Sequence, residues 1–358
     1  MSSGSRSDFK TGVRLAEIPF VDIAPLFAAD ERAREKVDRE IARAAFEIGF
    51  MTITGHPNSL RAGPEERAVL LQLFDLPQSE QRRLWKRNFA PENTHLYRGW
   101  FPLSSSGARN REGFEIGPDI LRVLPDDGTD DLLCEPTPLP DPALLPAEWL
   151  SVARAYYGAM ESIGQRILAS LSRSLEIDER IFQDAFDDGI STLRLLHYPK
   201  RPEGEPAVED LPGRIIEIDG QSVELVARAH VDSGLLTVLA QCGVGGLQAR
   251  HVNPRIAGNE WIDVPPSDDG FAINFGGLME HWTGGRVKAT EHRVVGSGQN
   301  RFSVPFFFEP RPSTRIAPLP IPGTRPFESF LYGDHLWATT TKFPENFGLA
   351  HLRSPRGT

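Results

Sequence analysis

The spacing of hydrophobic positions changes near residue 191, and this change separates a helical part of the chain from a strand-rich part. Before it, apolar residues recur every three to four positions over 33–48 and along a long stripe over 146–175. Such spacing places apolar side chains on one face of a helix. After it, short apolar stretches alternate with turns that carry Gly or Pro as far as residue 308. That alternation is typical of many short strands.

The strand-rich part predicts a sandwich or barrel. Its predicted strands cover residues 192–199, 223–230, 235–240, 246–250, 261–264, 271–275 and 301–308. Within this class, a double-stranded β-helix, or jelly roll, has two sheets that can bring ligands together at an open mouth. We therefore predict a mainly β fold with α additions, in which helices flank a jelly-roll core.

The same pattern divides the chain into parts. Residues 1–16 are polar and are expected to form a disordered tail. Residues 17–145 are expected to form an N-terminal segment of strands, helices and a long irregular loop within the same fold. Residues 146–310 hold a long support helix and the jelly-roll core, and residues 311–358 form a C-terminal extension with a helix. The irregular part, 87–145, is either a lid or binding loop or a solvated insertion.

Composition and charge narrow the classes of function. The chain of 358 residues is 40% hydrophobic and 25% charged, which is ordinary for a soluble globular protein. Its net charge is -10 and it has no run of basic residues, so nucleic acid is not an expected partner. No apolar run approaches the roughly 20 residues that span a bilayer, so no membrane association is expected.

The cysteines and the N-terminus indicate a compartment. Cys134 and Cys242 are the two cysteines, and neither belongs to a CxxC pair. Both are expected to be reduced and structural. The N-terminus has no apolar stretch like that of a signal peptide. We therefore predict a cytoplasmic protein; its oligomeric state is not defined by these features.

Three residues of the strand-rich part form a candidate metal site. His230 and Asp232 are two positions apart, so their side chains leave a strand on the same face. His292 follows a stretch, 287–291, that reads as a further strand. Two histidines and one carboxylate leave three octahedral positions open, which is typical of non-haem iron(II) oxygenases. The absence of cysteine from the set argues against structural zinc.

A candidate carboxylate clamp follows the last histidine. Arg301 and Ser303 share one face of a predicted strand. An arginine fork with a hydroxyl beside it is suited to hold a carboxylate.

Together the His-x-Asp pair, the distal histidine and the Arg-x-Ser motif resemble the iron(II)- and 2-oxoglutarate-dependent dioxygenases, in the branch that includes isopenicillin N synthase. The resemblance implies that His230, Asp232 and His292 bind iron(II) and that Arg301 and Ser303 hold the 5-carboxylate of the co-substrate 2-oxoglutarate. Family members often have an Asn-Tyr-Tyr-Pro segment whose second Tyr also contacts 2-oxoglutarate. Tyr198 matches that Tyr here, whereas Leu196 stands at the Asn position.

The implied activity is an oxygenase reaction. Such enzymes couple the oxidative decarboxylation of 2-oxoglutarate by O2 to hydroxylation, desaturation or cyclisation of a small molecule, and ascorbate is a supporting reductant. An amino acid derivative or a secondary metabolite is the expected class of substrate. Three alternatives stay open: an isopenicillin N synthase-like oxidase that does not use 2-oxoglutarate, an ethylene-forming enzyme, and a non-catalytic jelly roll that binds a metal and a small acid.

Several residues are candidates for substrate contact. Arg194 shares a strand face with Tyr198, and it matches by position a substrate-side arginine of ethylene-forming enzyme. Arg98 lies in an aromatic loop. If either faces the pocket, a substrate with a carboxylate follows. The aromatic residues expected to wall the pocket are Phe275, Trp282, Phe306 and Phe308.

Overall fold

The computed structural model describes residues 17–103, 111–124, 130–200, 215–218, 220–250 and 261–357. The predicted disordered tail over 1–16 lies outside these residues. Two sheets form the centre of the described part, and helices cover the outside of the larger one.

The larger sheet has eight strands. Their spatial order is β1 (Phe20–Asp22), β2 (Phe50–Thr54), β11 (Phe271–Phe275), β8 (Leu236–Ala240), β13 (Arg301–Phe308), β5 (Thr192–Tyr198), β4 (Glu112–Ile116) and β3 (Gly99–Phe101). All neighbours are antiparallel except β1 and β2, which run parallel. Because β1 to β4 come from the N-terminal segment, that segment contributes strands to the same sheet as the second half of the chain.

The smaller sheet has five strands. Their order is β10 (Trp261–Asp263), β9 (Leu247–Arg250), β12 (His292–Val295), β7 (Gln221–His230) and β6 (Ile215–Ile218). Apolar side chains of the two sheets meet in one buried cluster, to which Phe50 and Ala272 come from the larger sheet and Leu247 and Val294 from the smaller. The sheets therefore pack face to face, which confirms the prediction of a jelly-roll core. A two-stranded sheet, β14 (Arg315–Ile316) and β15 (Phe330–Leu331), follows the core.

Seven α-helices surround the sheets in the described residues. They are α1 (Glu31–Glu47), α2 (Pro64–Leu71), α3 (Gln78–Leu84), α4 (Trp149–Ser174), α5 (Arg180–Phe186), α6 (Gly277–Trp282) and α7 (Tyr332–Thr340). Asp30 caps α1, since its carboxylate accepts hydrogen bonds from the amides of Arg32 and Ala33 at 3.0 and 3.1 Å. None of the helices in these residues is both long and apolar enough to cross a bilayer.

The long helix α4 packs on the outer face of the larger sheet. Tyr157 meets Phe306 of β13 edge to face, with ring centroids 5.0 Å apart. Gly164 allows a closer approach, because a Cβ built there would lie 2.5 Å from the Phe308 ring. The apolar stripe over 146–175 therefore marks the face of α4 that covers the core, as its spacing predicts.

Two expectations from the sequence differ from the structure. The segment 87–145 has no regular pattern in the sequence, yet β3 and β4 lie in it and form the edge of the larger sheet. Strands of three and five residues are too short for a clear alternation, and most of their side chains are buried. The stretch 287–291 is not a strand, and β12 begins at His292 itself.

Candidate active site

The three predicted metal ligands meet where two strands of the smaller sheet are paired. His230 is the last residue of β7 and pairs with His292, the first residue of β12. Asp232 follows two positions after His230, and its Oδ1 lies 3.6 Å from His230 Nε2 and 3.7 Å from His292 Nε2. One ligand atom from each residue falls within 4.8 Å of the others. Three donors at this separation can coordinate a single ion.

The hydrogen bonds of both histidines orient them for coordination. Nδ1 of His230 lies 2.7 Å from the carbonyl oxygen of Arg228, and Nδ1 of His292 lies 3.2 Å from that of Thr290. A carbonyl oxygen only accepts, so each Nδ1 carries the proton and donates it. In the neutral form of each ring, Nε2 is then the unprotonated nitrogen and is free to bind a metal.

Asp232 is held with one oxygen free. Its Oδ2 accepts hydrogen bonds from Thr237 Oγ1 and Asn274 Nδ2, both at 2.7 Å, while Oδ1 points to the histidines. Burial raises the pKa of Asp232, but the two histidines and these two donors outweigh it, and the pKa is lowered. The pKa of His230 is lowered as well, by burial and by the charge of His292. A carboxylate at Asp232 and a neutral imidazole at His230 are thus favoured, and a donor set of two imidazoles and one carboxylate fits iron(II).

The predicted carboxylate clamp lies on β13, where Arg301 pairs with Tyr198 and Ser303 pairs with Leu196. The Arg301 side chain is buried, and its Nε donates to the carbonyl oxygen of Gly245 at 3.2 Å. Its Nη1 is buried without a hydrogen-bond partner among the described residues. A buried cation with an unused donor is costly unless an anion completes it. The arrangement therefore fits the carboxylate of a co-substrate.

Tyr198 and Leu196 shape the surroundings of the clamp. The Arg301 guanidinium stacks on the Tyr198 ring, 4.9 Å from its centroid. Leu196 lies with Tyr198 and Phe101 in a buried apolar cluster. The position that departs from the Asn-Tyr-Tyr-Pro pattern thus contributes packing and no hydrogen bond.

A cavity opens beside the metal ligands. His230 and Asp232 form part of its wall, and Phe307 and Phe308 of β13 and Leu336 of α7 supply apolar surface. The C-terminal segment closes it with Phe343, Glu345 and Asn346. A small organic molecule bound in this cavity would therefore lie next to a metal at the triad.

Five ionisable side chains form what we call the charged cluster at this cavity: Lys86, Arg111, Glu115, Arg194 and Glu345. Glu115 accepts from Arg194 Nε at 2.9 Å and forms a further ion pair with Lys86. Arg111 Nη2 donates to Glu345 Oε1 at 3.0 Å. Burial raises the pKa of both carboxyls, but neighbouring cations lower it more, to about 2 for Glu345, so both are ionised at neutral pH.

Two family models match the chain on either side of its long helix. One, described as the 2OG-Fe(II) oxygenase superfamily, matches residues 189–310. The other, described as the N-terminal region of non-haem dioxygenases in morphine synthesis, matches residues 18–142. A 2-oxoglutarate-dependent dioxygenase of Monascus ruber is 30% identical over 84% of this chain and 87% of its own length. The chain belongs to the 2OG-Fe(II) oxygenases.

Other relatives and solved structures agree with this assignment. An isopenicillin N synthase of Streptomyces clavuligerus is 27% identical over 90% of this chain and 94% of its own. A structure of a full-length Neurospora crassa protein with alpha-KG (2-oxoglutarate) and thymine shares the fold. Its TM-score is 0.71 at 22% identity. The match covers 91% of the present chain and 97% of the Neurospora crassa chain. The prediction of an iron(II)- and 2-oxoglutarate-dependent oxygenase is confirmed.

Two aromatic residues predicted to wall the cavity of this oxygenase lie on the opposite face of the larger sheet. Phe306 packs on Tyr157 of α4, and the next residue, Phe307, lines the cavity instead. Phe275 is in the core, and the residue before it, Asn274, reaches Asp232. Successive residues of a strand face opposite sides, so each prediction missed by one position. Phe307 lies on the same strand face as Arg301 and Ser303, so the alternation of side chains along β13 would have indicated it as the cavity residue.

Of the remaining predicted substrate residues, two line the cavity and two do not. Phe308 and Arg194 line the cavity, whereas Trp282 packs on Phe182 away from it. Arg98 is fully buried, and its guanidinium donates to Thr192 Oγ1 at 2.6 Å and to the Ile190 carbonyl oxygen at 2.9 Å. Arg98 therefore supports the start of β5 and does not line the cavity.

Sequence reasoning did not identify several residues of the site. Thr237 and Asn274, which hold Asp232, carry no local motif. Arg111 and Glu115 are close in sequence, but the partner of Arg111, Glu345, is 234 positions away. Glu115 lies opposite Arg194 in the register of β4 and β5, a pairing that only the structure shows.

Proposed function

We propose that this oxygenase hydroxylates a small molecule and that His230, Asp232 and His292 hold its iron(II). Arg301 and Ser303 hold the 5-carboxylate of 2-oxoglutarate, and the Tyr198 ring packs against the Arg301 guanidinium. The observation that carries this proposal is the buried Nη1 of Arg301, which has no partner among the described residues, in the same jelly-roll core as the three ligands. The second carboxylate of a dicarboxylate bound beside the three ligands would supply the missing partner of Arg301 Nη1.

The overall reaction is balanced without a further oxidant. When bound, iron(II) supplies the activation of O2. One oxygen atom enters succinate as 2-oxoglutarate loses CO2, and the other enters the substrate as a hydroxyl group. Desaturation or cyclisation of the substrate are variants of the same two-electron oxidation.

The chain contributes orientation and an environment with little water. The carbonyl oxygens of Arg228 and Thr290 fix the rings of His230 and His292. Asn274 and Thr237 fix the carboxylate of Asp232. The apolar wall of the cavity limits water beside the reacting carbon, and the protein thereby directs chemistry that belongs to the cofactor.

The test measures oxygen consumption with iron(II) and ascorbate, with and without 2-oxoglutarate, together with the succinate formed. We expect oxygen consumption to require 2-oxoglutarate and succinate to match it. Oxygen consumption without 2-oxoglutarate would support an isopenicillin N synthase-like oxidase and contradict the proposal. Ethylene in the headspace would indicate the ethylene-forming reaction, and no turnover with any small molecule would indicate a binding protein.

The setting of the reaction is also a proposal. The net charge of -10 disfavours nucleic acid as a partner, and a small molecule is the expected one. Neither of the two cysteines belongs to a CxxC pair, and iron(II) requires reducing conditions. Both features favour the cytoplasm.

A further inference from the structure

The charged cluster carries an excess of positive charge. Lys86, Arg111 and Arg194 are cationic, and Glu115 and Glu345 are anionic, so the sum is one positive charge (3 − 2 = 1). Lys86, Glu115 and Glu345 are almost fully buried. A buried charge is unfavourable unless it is paired.

The excess charge is located at the two arginines. Lys86 is held behind the cavity wall, where it donates to Glu115 and, at 2.8 Å, to Asn346 Oδ1. Arg194 uses Nε and Nη2 on Glu115. Arg111 uses Nη2 on Glu345, its one hydrogen bond within the part of the chain that the structure describes. Since a guanidinium has five N–H donors, both arginines retain donors that can reach into the cavity.

The position of Arg111 relates the excess charge to the reaction centre. Its side chain lines the cavity together with His230 and Asp232 and is 27% exposed. A ligand group held by Arg111 would therefore lie close to the metal.

The other charged side chains at the cavity do not cancel the excess positive charge of the charged cluster. Asp232 is a ligand of the iron in the proposed function. Glu309 is buried at another part of the wall, where Thr192 Oγ1 donates to it at 3.2 Å and accepts from Arg98 at 2.6 Å. The charges of Arg98 and Glu309 thus offset each other within the wall. Burial raises the pKa of Glu309 to about 7.

We propose that the cavity binds a small, largely apolar carboxylic acid whose carboxylate is held by Arg111 and Arg194. Glu345 and Glu115 orient the two guanidinium groups, so that a third carboxylate completes the charged cluster. Phe307, Phe308, Leu336 and Phe343 provide the apolar surface for the rest of the acid. This inference rests on the proposed function, because it takes the cavity to be the substrate site of the oxygenase.

The test compares acids with their uncharged analogues. Butyrate, hexanoate and 3-phenylpropionate, each beside its primary amide, are titrated calorimetrically into the full chain loaded with iron(II) and saturated with 2-oxoglutarate under argon. We expect at least one acid to bind, and to bind at least about ten-fold more tightly than its amide, since charge-assisted hydrogen bonds are the stronger ones. Equal binding of acid and amide, or no binding of any acid, would overturn the proposal.

Variants locate the binding. Arg111→Gln is expected to abolish the preference for the acid, and Arg111→Lys to retain part of it. Arg122→Gln is the matched control, because Arg122 forms a similar half-buried ion pair with Glu161 outside the cavity. An unchanged preference in Arg111→Gln would contradict the proposal even if acids bind.

A second arm separates this inference from the proposed function. In Arg301→Gln the binding of 2-oxoglutarate should weaken while the preference for the acid remains, because the two carboxylates use different arginines. Loss of the acid preference in Arg301→Gln would place the probe at the co-substrate clamp and overturn the inference. Failure of the wild-type chain to bind 2-oxoglutarate would remove the proposed function, while the acid and amide titrations without 2-oxoglutarate still test the charged cluster.

Discussion

The metal end and the charged end of the cavity are built in different ways. The metal ligands lie at the ends of two paired strands, and two of the three are separated by a single residue. The charged cluster joins side chains from β4, β5, the segment after α3 and the C-terminal segment. The first site depends on local spacing and the second on long-range folding. Substitutions at the two ends should therefore fail in different ways.

The largest effect is expected at the metal end. In His230→Ala two ligands remain, and we expect succinate formation to fall below detection. Iron affinity should fall by more than the roughly 10–100-fold that follows when a residue hydrogen-bonded to a metal ligand is replaced. Iron binding and succinate release measure this. His351→Ala is the control, since Nδ1 of that exposed histidine also contacts a backbone carbonyl, at 3.0 Å. Normal turnover in His230→Ala would remove His230 from the ligand set.

The next largest effect is expected at the carboxylate clamp. Arg301→Lys replaces a planar fork with a point charge, and we expect 2-oxoglutarate to bind roughly 10–100-fold more weakly, as loss of a charged hydrogen bond implies. Anaerobic titration of 2-oxoglutarate measures the dissociation constant. Arg293→Lys on β12, in the smaller sheet, should leave it unchanged. An unchanged constant in Arg301→Lys would show that another residue holds the co-substrate.

A smaller effect is expected from the residues that orient Asp232. Asn274→Ala removes a donor to Oδ2 but leaves Thr237 in place, so we expect about a ten-fold loss of iron affinity, at the low end of the range for such partners. The dissociation constant for 2-oxoglutarate at saturating iron should not change. Iron titration of the variant and the wild type makes the comparison, and equal affinities would mean that Thr237 alone holds Asp232.

The smallest effects distinguish the two faces of β13. Phe306→Leu should lower the free energy of unfolding by about 1 kcal/mol, because this ring packs on Tyr157, and should leave substrate affinity unaltered. Phe307→Leu should change affinity for an acid probe several-fold with less effect on stability. Denaturant unfolding and calorimetry, applied to both variants, measure the two quantities. A change of affinity in Phe306→Leu and a loss of stability in Phe307→Leu would contradict the assignment of Phe306 to the helix-facing side of β13 and of Phe307 to the cavity side.

Much of the fold could be predicted from the sequence, because hydrophobic period is a local signal. It indicated α1, α4 and the strands β5, β7 to β11 and β13, but neither β6 nor the position of β12, and it led to the jelly roll that the structure confirms. It could not indicate β3 and β4, which are short and nearly fully buried, so no alternation shows which face is inside.

The site was predictable only where its residues are close in sequence. His230 with Asp232, and Arg301 with Ser303, form spaced pairs whose chemistry is apparent without a structure. Arg111 and Glu345 form an ion pair 234 positions apart, and no spacing rule relates them. Phe306 was misplaced because aromatic residues occupy consecutive positions of β13. Phe275 was misplaced because every residue of β11 is buried, so the sequence does not show which of its faces lies toward the metal ligands.

Gly164 has a consequence for the depth of the cavity. A methyl group at this position would meet the Phe308 ring at 2.5 Å, and that ring is also held by Phe186, with centroids 4.4 Å apart. Because a closely packed interior transmits such a displacement, the strand or the helix would have to move. Phe308 is also part of the cavity wall. An alanine at Gly164 would therefore displace the end of β13 that borders the cavity, from a position on the outer helix that is neither a proposed metal ligand nor a residue of the carboxylate clamp.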